Sequence, residues 1–263
     1  TAIPSGASAY EIEQSLRFEH SSSAYLSRTP ASASNRKTWT WSCWAKRGDL
    51  VLSGQPVMFG AGTSGSAFSQ FYFNKNTSTL LFYDYDGSTD YGWETEPLLR
   101  DPSAWYHIMC VYDSTNSTAA DRLKIYVNGV QYTVRENDYG NFPLNYETHI
   151  NATSEHNIGK YPGNTQYYDG YLAEAHFIDG AAKVPADFGE TGTYGEWKPI
   201  EYSGSYGTNG FYLPFKQDYT VEGFSTVIYT GNGGTQYIGG TGFQPNLLWV
   251  KKRSASGTSH MIN

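Results

Sequence analysis

Trp105-Tyr-His-Ile-Met-Cys-Val-Tyr-Asp113, followed by Arg122-Leu-Lys-Ile-Tyr-Val-Asn-Gly129, decides the fold class. In the first run Tyr106, Ile108, Cys110 and Tyr112 share one face; Trp105, His107, Met109 and Val111 share the other. Period-two alternation of aromatic and β-branched residues, apolar on both sides, reads as a long strand with both faces covered. The second run repeats the pattern with Leu123, Ile125 and Val127. Asn128-Gly129 then supplies two residues that tolerate positive φ, as a tight hairpin turn requires. Long strands without a helical period nearby predict a layered β protein.

Composition supports this reading. The chain has 263 residues, 23 of them Tyr and 28 Gly, and only 16% are charged. Tyr favours strands and Gly favours turns, so the mixture suits broad sheets with many connections. The length is enough to bury roughly 70% of the unfolded surface in one large sandwich, or in a sandwich with an appendage. A net charge of −7 without a clustered basic patch excludes a nucleic-acid surface. No apolar run approaches the length of a membrane span, and no secretory signal pattern occurs. Thr1 is compatible with a removed initiator methionine, so arrival outside a cell requires another route, such as release inside a particle. Cys43 and Cys110 both fall within apolar strand patterns; two thiols exclude a disulfide scaffold but leave a single cross-strand bridge open.

Along the chain, residues 1–14 read as an extended Ala/Ser/Gly/Pro-rich arm and residues 15–215 as the main domain. Short strands are expected at Ser15–Phe18 and Ala24–Ser27. Lys37–Lys46 alternates clearly, with Trp39, Trp41, Cys43 and Ala45 on one face. Further strands are expected at Val57–Gly60, Phe68–Phe73, Leu80–Tyr85, Asn157–Gly159 and Tyr171–Ile178, and Gly210–Phe215 closes the main domain. Residues 134–156 read as a long polar loop, and Pro185–Gly189 as the one short helical turn. Residues 216–263 form a short β segment that begins a second module or packs as an appendage, with strands at Thr226–Tyr229 and Leu247–Lys252. Strands at such spacing predict an all-β antiparallel sandwich of jelly-roll type.

Four segments carry a family resemblance: Thr38–Trp44, Trp105–Asp113, Leu123–Gly129, and Asn157–Gly159 leading to Asp169-Gly-Tyr-Leu-Ala-Glu-Ala-His-Phe-Ile-Asp179. In order and spacing they resemble the laminin-G-like, concanavalin A-like jelly-roll superfamily, over about Ser15 to Phe215. A narrower resemblance, to virion proteins of marine tailed bacteriophages, rests on Tyr25–Thr40 and on Gly242-Phe-Gln-Pro-Asn-Leu-Leu-Trp-Val-Lys251. It implies a non-enzymatic structural or adhesive role on a virus particle, in a tail fibre or head-attached appendage assembled in the host cytoplasm. The implied partners are other virion proteins, further copies of the chain (a trimer suits a fibre) and host-surface glycans. The rival readings are a capsid decoration protein without ligand, and a secreted carbohydrate-binding or carbohydrate-active module.

Candidate chemistry gathers around one hairpin. Asp84-Tyr-Asp86-Gly-Ser-Thr-Asp90 resembles part of a calcium loop through Asp84, Asp86 and Asp90, although the EF-hand pattern is incomplete and an Asp/Gly turn gives the same sequence. No cofactor is required. Tyr83, Tyr85, Asp86, Tyr91 and Trp93 form a candidate glycan rim, because rings stack on the apolar face of a pyranose and carboxylates accept its hydroxyl protons. Tyr161, Tyr167 and Tyr168 form a second. The same-face acidic pairs Asp84/Asp86 and Glu94/Glu96 lack the spacing of glycosidase strands, which argues against hydrolysis. The six histidines show no zinc spacing. His107 and His176 are expected to make structural hydrogen bonds; His149 and His156 are expected to be solvated.

Overall fold

A computed structural model describes residues 10–50, 54–216, 227, 230, 232–235, 248–251 and 259–262. The chain divides into two units, Thr1–Lys216 and Gln217–Asn263. In chain order the strands of the first are β1 (Leu16–Phe18), β2 (Leu26–Arg28), β3 (Thr38–Arg47), β4 (Val57–Ser64), β5 (Ala67–Phe73), β6 (Leu80–Tyr85), β7 (Asp90–Thr95) and β8 (Tyr106–Asp113). They continue as β9 (Leu123–Val127), β10 (Val130–Tyr132), β11 (Arg135–Gly140), β12 (His156–Ile158), β13 (Gly170–Asp179), β14 (Gly189–Thr191), β15 (Trp197–Pro199) and β16 (Phe211–Leu213).

The two runs that opened the reading are β8 and β9, and they pair antiparallel from Ile108 opposite Val127 to Tyr112 opposite Leu123. Asn128 (φ 48°) and Gly129 (φ 79°) form the expected turn into β10. The first sheet runs β1-β13-β3-β8-β9-β10, with β16 also on β13; the second runs β11-β7-β6-β5-β4-β12-β2. Every pairing within them is antiparallel, so the unit is a β-sandwich with concanavalin A-like jelly-roll architecture.

Alternation on β3 directs Trp39, Trp41, Cys43 and Ala45 into the space between the sheets, where none is exposed. Trp41 stacks on Phe59 of the opposite sheet with centroids 4.3 Å apart, and Trp39 meets Phe82 at 5.3 Å. Each such ring contributes roughly 1.5–3 kcal/mol by leaving water. The other face of the first sheet is covered too. Residues of the 181–206 segment close over Met109, Val111 and Ile178, which explains why β8 is apolar on both sides.

Three expectations need correction. The polar stretch 134–156 is not all loop, because Arg135–Gly140 pairs with β7 at the edge of the second sheet through two register shifts. An edge strand with broken register and exposed side chains leaves no period-two signature. Short 3₁₀ turns occur at His20–Ser22 and Ala119–Asp121 as well as Pro185–Asp187; three residues cannot display a helical period. The hairpin β14–β15 was not anticipated either.

In the second unit, β17 (Leu248–Lys251) pairs antiparallel with β18 (Ser259–Ile262). The C-terminal run therefore contributes a strand that composition did not suggest. The expected strand at Thr226–Tyr229 and residues 1–9 of the arm lie outside the described residues.

Candidate functional site

Strand parity sorts the candidate residues. On β6, Leu80, Phe82 and Asp84 face the core, and Leu81, Tyr83 and Tyr85 face outward. Phe82 lies opposite Trp93 and Asp84 opposite Tyr91, so both β7 aromatics also point inward. Trp93 is 3% exposed within the core, and Tyr91 packs against Tyr146 at 4.9 Å and Phe142 at 5.6 Å. The rim of Tyr83, Tyr85, Asp86, Tyr91 and Trp93 is therefore split between the two faces of one sheet.

The three candidate calcium ligands do not converge. Asp84 is fully buried and accepts hydrogen bonds from the Ser69 hydroxyl and from Tyr146 at 2.7 Å, with His149 Nδ1 at 3.4 Å. Asp86 accepts from the backbone N–H groups of Thr89 and Ser88, both at 2.8 Å, which hold its carboxyl below the ordinary range. Asp90 accepts the Tyr83 hydroxyl. Among the described residues one group of metal-capable side chains converges, Glu19, His20 and Asp169. The Arg17 guanidinium already balances it, 2.8 Å from Glu19 and 3.5 Å from Asp169.

What the structure does assemble is the outer face of the second sheet. Phe68 on β5 lies 5.8 Å from Tyr83, 6.1 Å from Tyr85 and 5.1 Å from Tyr161. Tyr139 on β11 meets Tyr83 edge-on at 5.1 Å and is 41% exposed. Partial burial, then the hydrogen bond to Asp90, raises the Tyr83 hydroxyl pKa well above its ordinary value. Glu94 shares this face. Burial acts to raise its pKa, but hydrogen bonds from Thr77, Thr79, Asn137 and Asn74 outweigh that and keep it below the ordinary value. Glu94 is fully buried with its oxygens taken by these donors, so the face presents aromatic rings beside the Asp90 carboxylate, a surface suited to stacking an apolar ring face.

Sequence reasoning missed Phe68, Tyr139 and Glu94 as parts of this face. The alternation of Phe68, Gln70 and Tyr72 was a usable signal, whereas Tyr139 lay hidden in a stretch read as loop. The second candidate rim is divided as well. Tyr161 joins the face, Tyr167 packs against Tyr25 at 6.0 Å, and Tyr168 is buried with its hydroxyl donating to the Lys46 carbonyl at 3.0 Å.

The histidines at 107, 149, 156 and 176 are structural. His107 bridges Ser42 Oγ at 2.8 Å and the Trp197 indole N–H at 3.0 Å, and burial pushes its pKa down to about 3. His156, expected in solvent, is instead buried and accepts the Asn151 N–H at 2.8 Å, with its pKa pushed down to about 4 by burial. His149, also expected in solvent, is 19% exposed and donates its backbone N–H to Ser69 Oγ at 2.8 Å. His176 stacks on Tyr212 at 4.5 Å, beside Glu174, which a bulge in β13 holds at φ 49°. Glu174 accepts the Tyr10 and Tyr212 hydroxyls and so holds Tyr10 against β13.

Two antiparallel sheets packed face to face in this order define a jelly-roll β-sandwich protein. The family model described as the concanavalin A-like lectin/glucanases superfamily, of laminin G type, matches residues 20–185, and the chain belongs to that family. A domain of unknown function matches residues 220–263. No curated protein matches the chain.

Among solved structures, the heptameric SAP-like pentraxin of Limulus polyphemus is 16% identical, with 60% of this chain and 71% of that one covered and a TM-score of 0.41. Domain 4 of an extracellular arabinanase from Geobacillus stearothermophilus, in complex with arabinotriose, is 15% identical over 57% of this chain and 64% of that one, with a TM-score of 0.43. Tailspike protein 2 of an Escherichia coli bacteriophage is 14% identical over 66% of this chain, with a TM-score of 0.45. The match spans only 23% of the tailspike and less than two thirds of the arabinanase domain.

Proposed function

We propose that the chain is the non-enzymatic jelly-roll module of a bacteriophage virion protein, carried on the particle surface in a tail fibre or head-attached appendage. It meets host-surface glycans through the outer face of its second sheet. One observation carries the binding part of this reading: Tyr83, Tyr85, Tyr139 and Tyr161 gather on one sheet face with the Asp90 carboxylate. Membership of a lectin/glucanase superfamily supports it. The virion setting is supported by the resemblance of Tyr25–Thr40 and Gly242–Lys251 to phage virion proteins.

The carboxylates favour binding over hydrolysis. Asp84 is enclosed, Asp86 is held by its own turn, and Glu94 carries four side-chain hydrogen bonds that keep it ionised rather than poised as an acid. No metal is needed at this face. Copies of the module on one particle, trimeric in a fibre, convert weak single contacts into firm attachment through avidity.

The test is a glycan array probed with the full chain and with Tyr139→Ala. Trp93 would be a poor probe because it belongs to the core. Loss of one exposed stacking ring is expected to weaken binding about tenfold. Electron microscopy of particles should place the chain on their surface. An array silent for the full chain, or equal binding by Tyr139→Ala, overturns the glycan reading. Particles lacking this density overturn the virion reading.

A further inference from the structure

Three positions lie side by side across the outer face of the second sheet: Asn157 on β12, Gly60 on β4 and Gln70 on β5. Asn157 is fully buried and Gln70 is 3% exposed. Neither the amide oxygen nor the amide nitrogen of Asn157 makes a hydrogen bond, and Gln70 Oε1 makes none. Unpaired amide groups cost free energy in a protein interior, so three unpaired atoms in a single row call for an explanation. Two strand spacings separate the outer residues, about 10 Å.

The gap between them has a glycine floor and an apolar plug. A Cβ on Gly60 would lie 2.8 Å from Pro162 Cγ, so the buried Pro162 ring sits directly on the glycine. Pro162 belongs to a tight turn in which the Asn164 N–H donates to the Tyr161 carbonyl at 3.2 Å and Gly163 takes φ 69°. The base of that turn is fastened: Lys160 bridges Tyr167, and the Tyr161 N–H donates to the Gln166 carbonyl and the Tyr168 N–H to the Gly159 carbonyl, both at 2.9 Å. The Gln166 amide oxygen accepts the Gln55 N–H at 2.7 Å, and Tyr161 leans on Phe68. Its tip, Pro162-Gly163-Asn164, lies beyond that base and can lift while the bridge and the sheet beneath it stay in place.

We infer that the slot over Gly60, between Asn157 and Gln70, is a concealed subsite for the acetamido group of an uncharged N-acetylated sugar, opened when the Pro162 turn lifts. The inference rests on the glycan-binding reading and specifies its ligand. The unpaired atoms offer one donor group and two acceptor oxygens. An acetamido group beside a hydroxyl offers the complement, two donors and one acceptor. Its methyl replaces the apolar ring of Pro162 over the glycine floor. A carboxylate could accept only from the Asn157 amide N–H group and would set its other oxygen against the amide oxygens, which disfavours it there.

The full chain and its variants are titrated with chitotriose by calorimetry, with cellotriose and sialyllactose as comparison arms. Pro162→Gly removes the plug while suiting the turn, and is expected to tighten chitotriose binding several-fold by raising the open fraction. Adding Asn157→Leu to that variant is expected to weaken binding at least tenfold. Thermal stability is expected to hold or rise, because an unpaired amide is replaced by an apolar side chain of similar size. Pro162→Ala serves as the second variant if Pro162→Gly does not fold.

Chitotriose binding unchanged by both substitutions overturns the subsite, as does a crystal structure of Pro162→Gly with chitotriose showing only ordered water between the amides. Stronger binding of cellotriose, which has no acetamido group, than of chitotriose also overturns it. Stronger binding of sialyllactose, which carries both an acetamido group and a carboxylate, overturns the restriction to an uncharged sugar. If Tyr139→Ala abolishes binding while Asn157→Leu leaves it intact, the open-face reading stands and the subsite falls. The reverse pattern retains the subsite and removes the open face.

Discussion

Replacing Asp84 by alanine separates two meanings of the same hairpin. In the calcium-loop reading, Asp84 is a rim ligand whose removal matters only when the ion is present. The structure instead buries it completely beneath residues 146–151, where it accepts from the Ser69 hydroxyl, the Tyr146 hydroxyl and, at longer range, His149 Nδ1. Truncation leaves these donors facing a void. Each buried group that loses its partner costs about 1–3 kcal/mol, so losing the partner of both the Ser69 and Tyr146 hydroxyls costs about 3–5 kcal/mol in all. For a sandwich of about 200 residues, each kcal/mol lowers Tm by about 2–4 °C, so the shift should be roughly 6–20 °C. Urea unfolding followed by tryptophan fluorescence should show a lower midpoint with an unchanged slope. Calcium or a chelator should alter neither protein. A loss below about 1 kcal/mol would refute the network argument, as would a calcium-dependent Tm rise in the native chain that disappears in Asp84→Ala.

Two further outcomes follow from burial and charge. Glu94 has a folded pKa below its unfolded value of about 4.5, so its contribution is fully present above that pH and is lost as pH falls through the depressed folded value. Stability should fall between about pH 5 and pH 3, and Glu94→Gln should flatten that slope; an unchanged slope contradicts the assignment. Cys43 and Cys110 are free and buried, and burial pushes the Cys43 thiol up to about 12. Neither should react with a thiol reagent until guanidinium unfolds the chain, whereupon both should. Rapid labelling of the native protein would show that the core opens far more readily than its packing implies.

The alternating runs Trp39–Ala45 and Tyr106–Tyr112 were legible as strands, and so were the turn at Asn128-Gly129 and the sandwich class. These features follow from local rules: side chains alternate across a pleated backbone, and positive φ selects Asn and Gly. Residues Arg135–Gly140 and Ser259–Ile262 were not legible, because an irregular edge strand and a short terminal one leave no periodic trace.

The site was legible only in part. Clustering of aromatic and acidic residues at 83–93 marked the hairpin that carries Tyr83 and Asp90, but one-dimensional proximity does not reveal facing. A one-residue step in a strand reverses direction, so Trp93 joined the core while Tyr83 stayed outside. Sequence alone determined that this chain would form twisted antiparallel layers rich in aromatic residues. Which rings share a face, that Pro162 covers Gly60, and that the Asn157 and Gln70 amides lie in one row were decided by pairing between distant strands. Register across a sheet is a property of the folded whole, set by which faces bury together, and no local window of residues contains it.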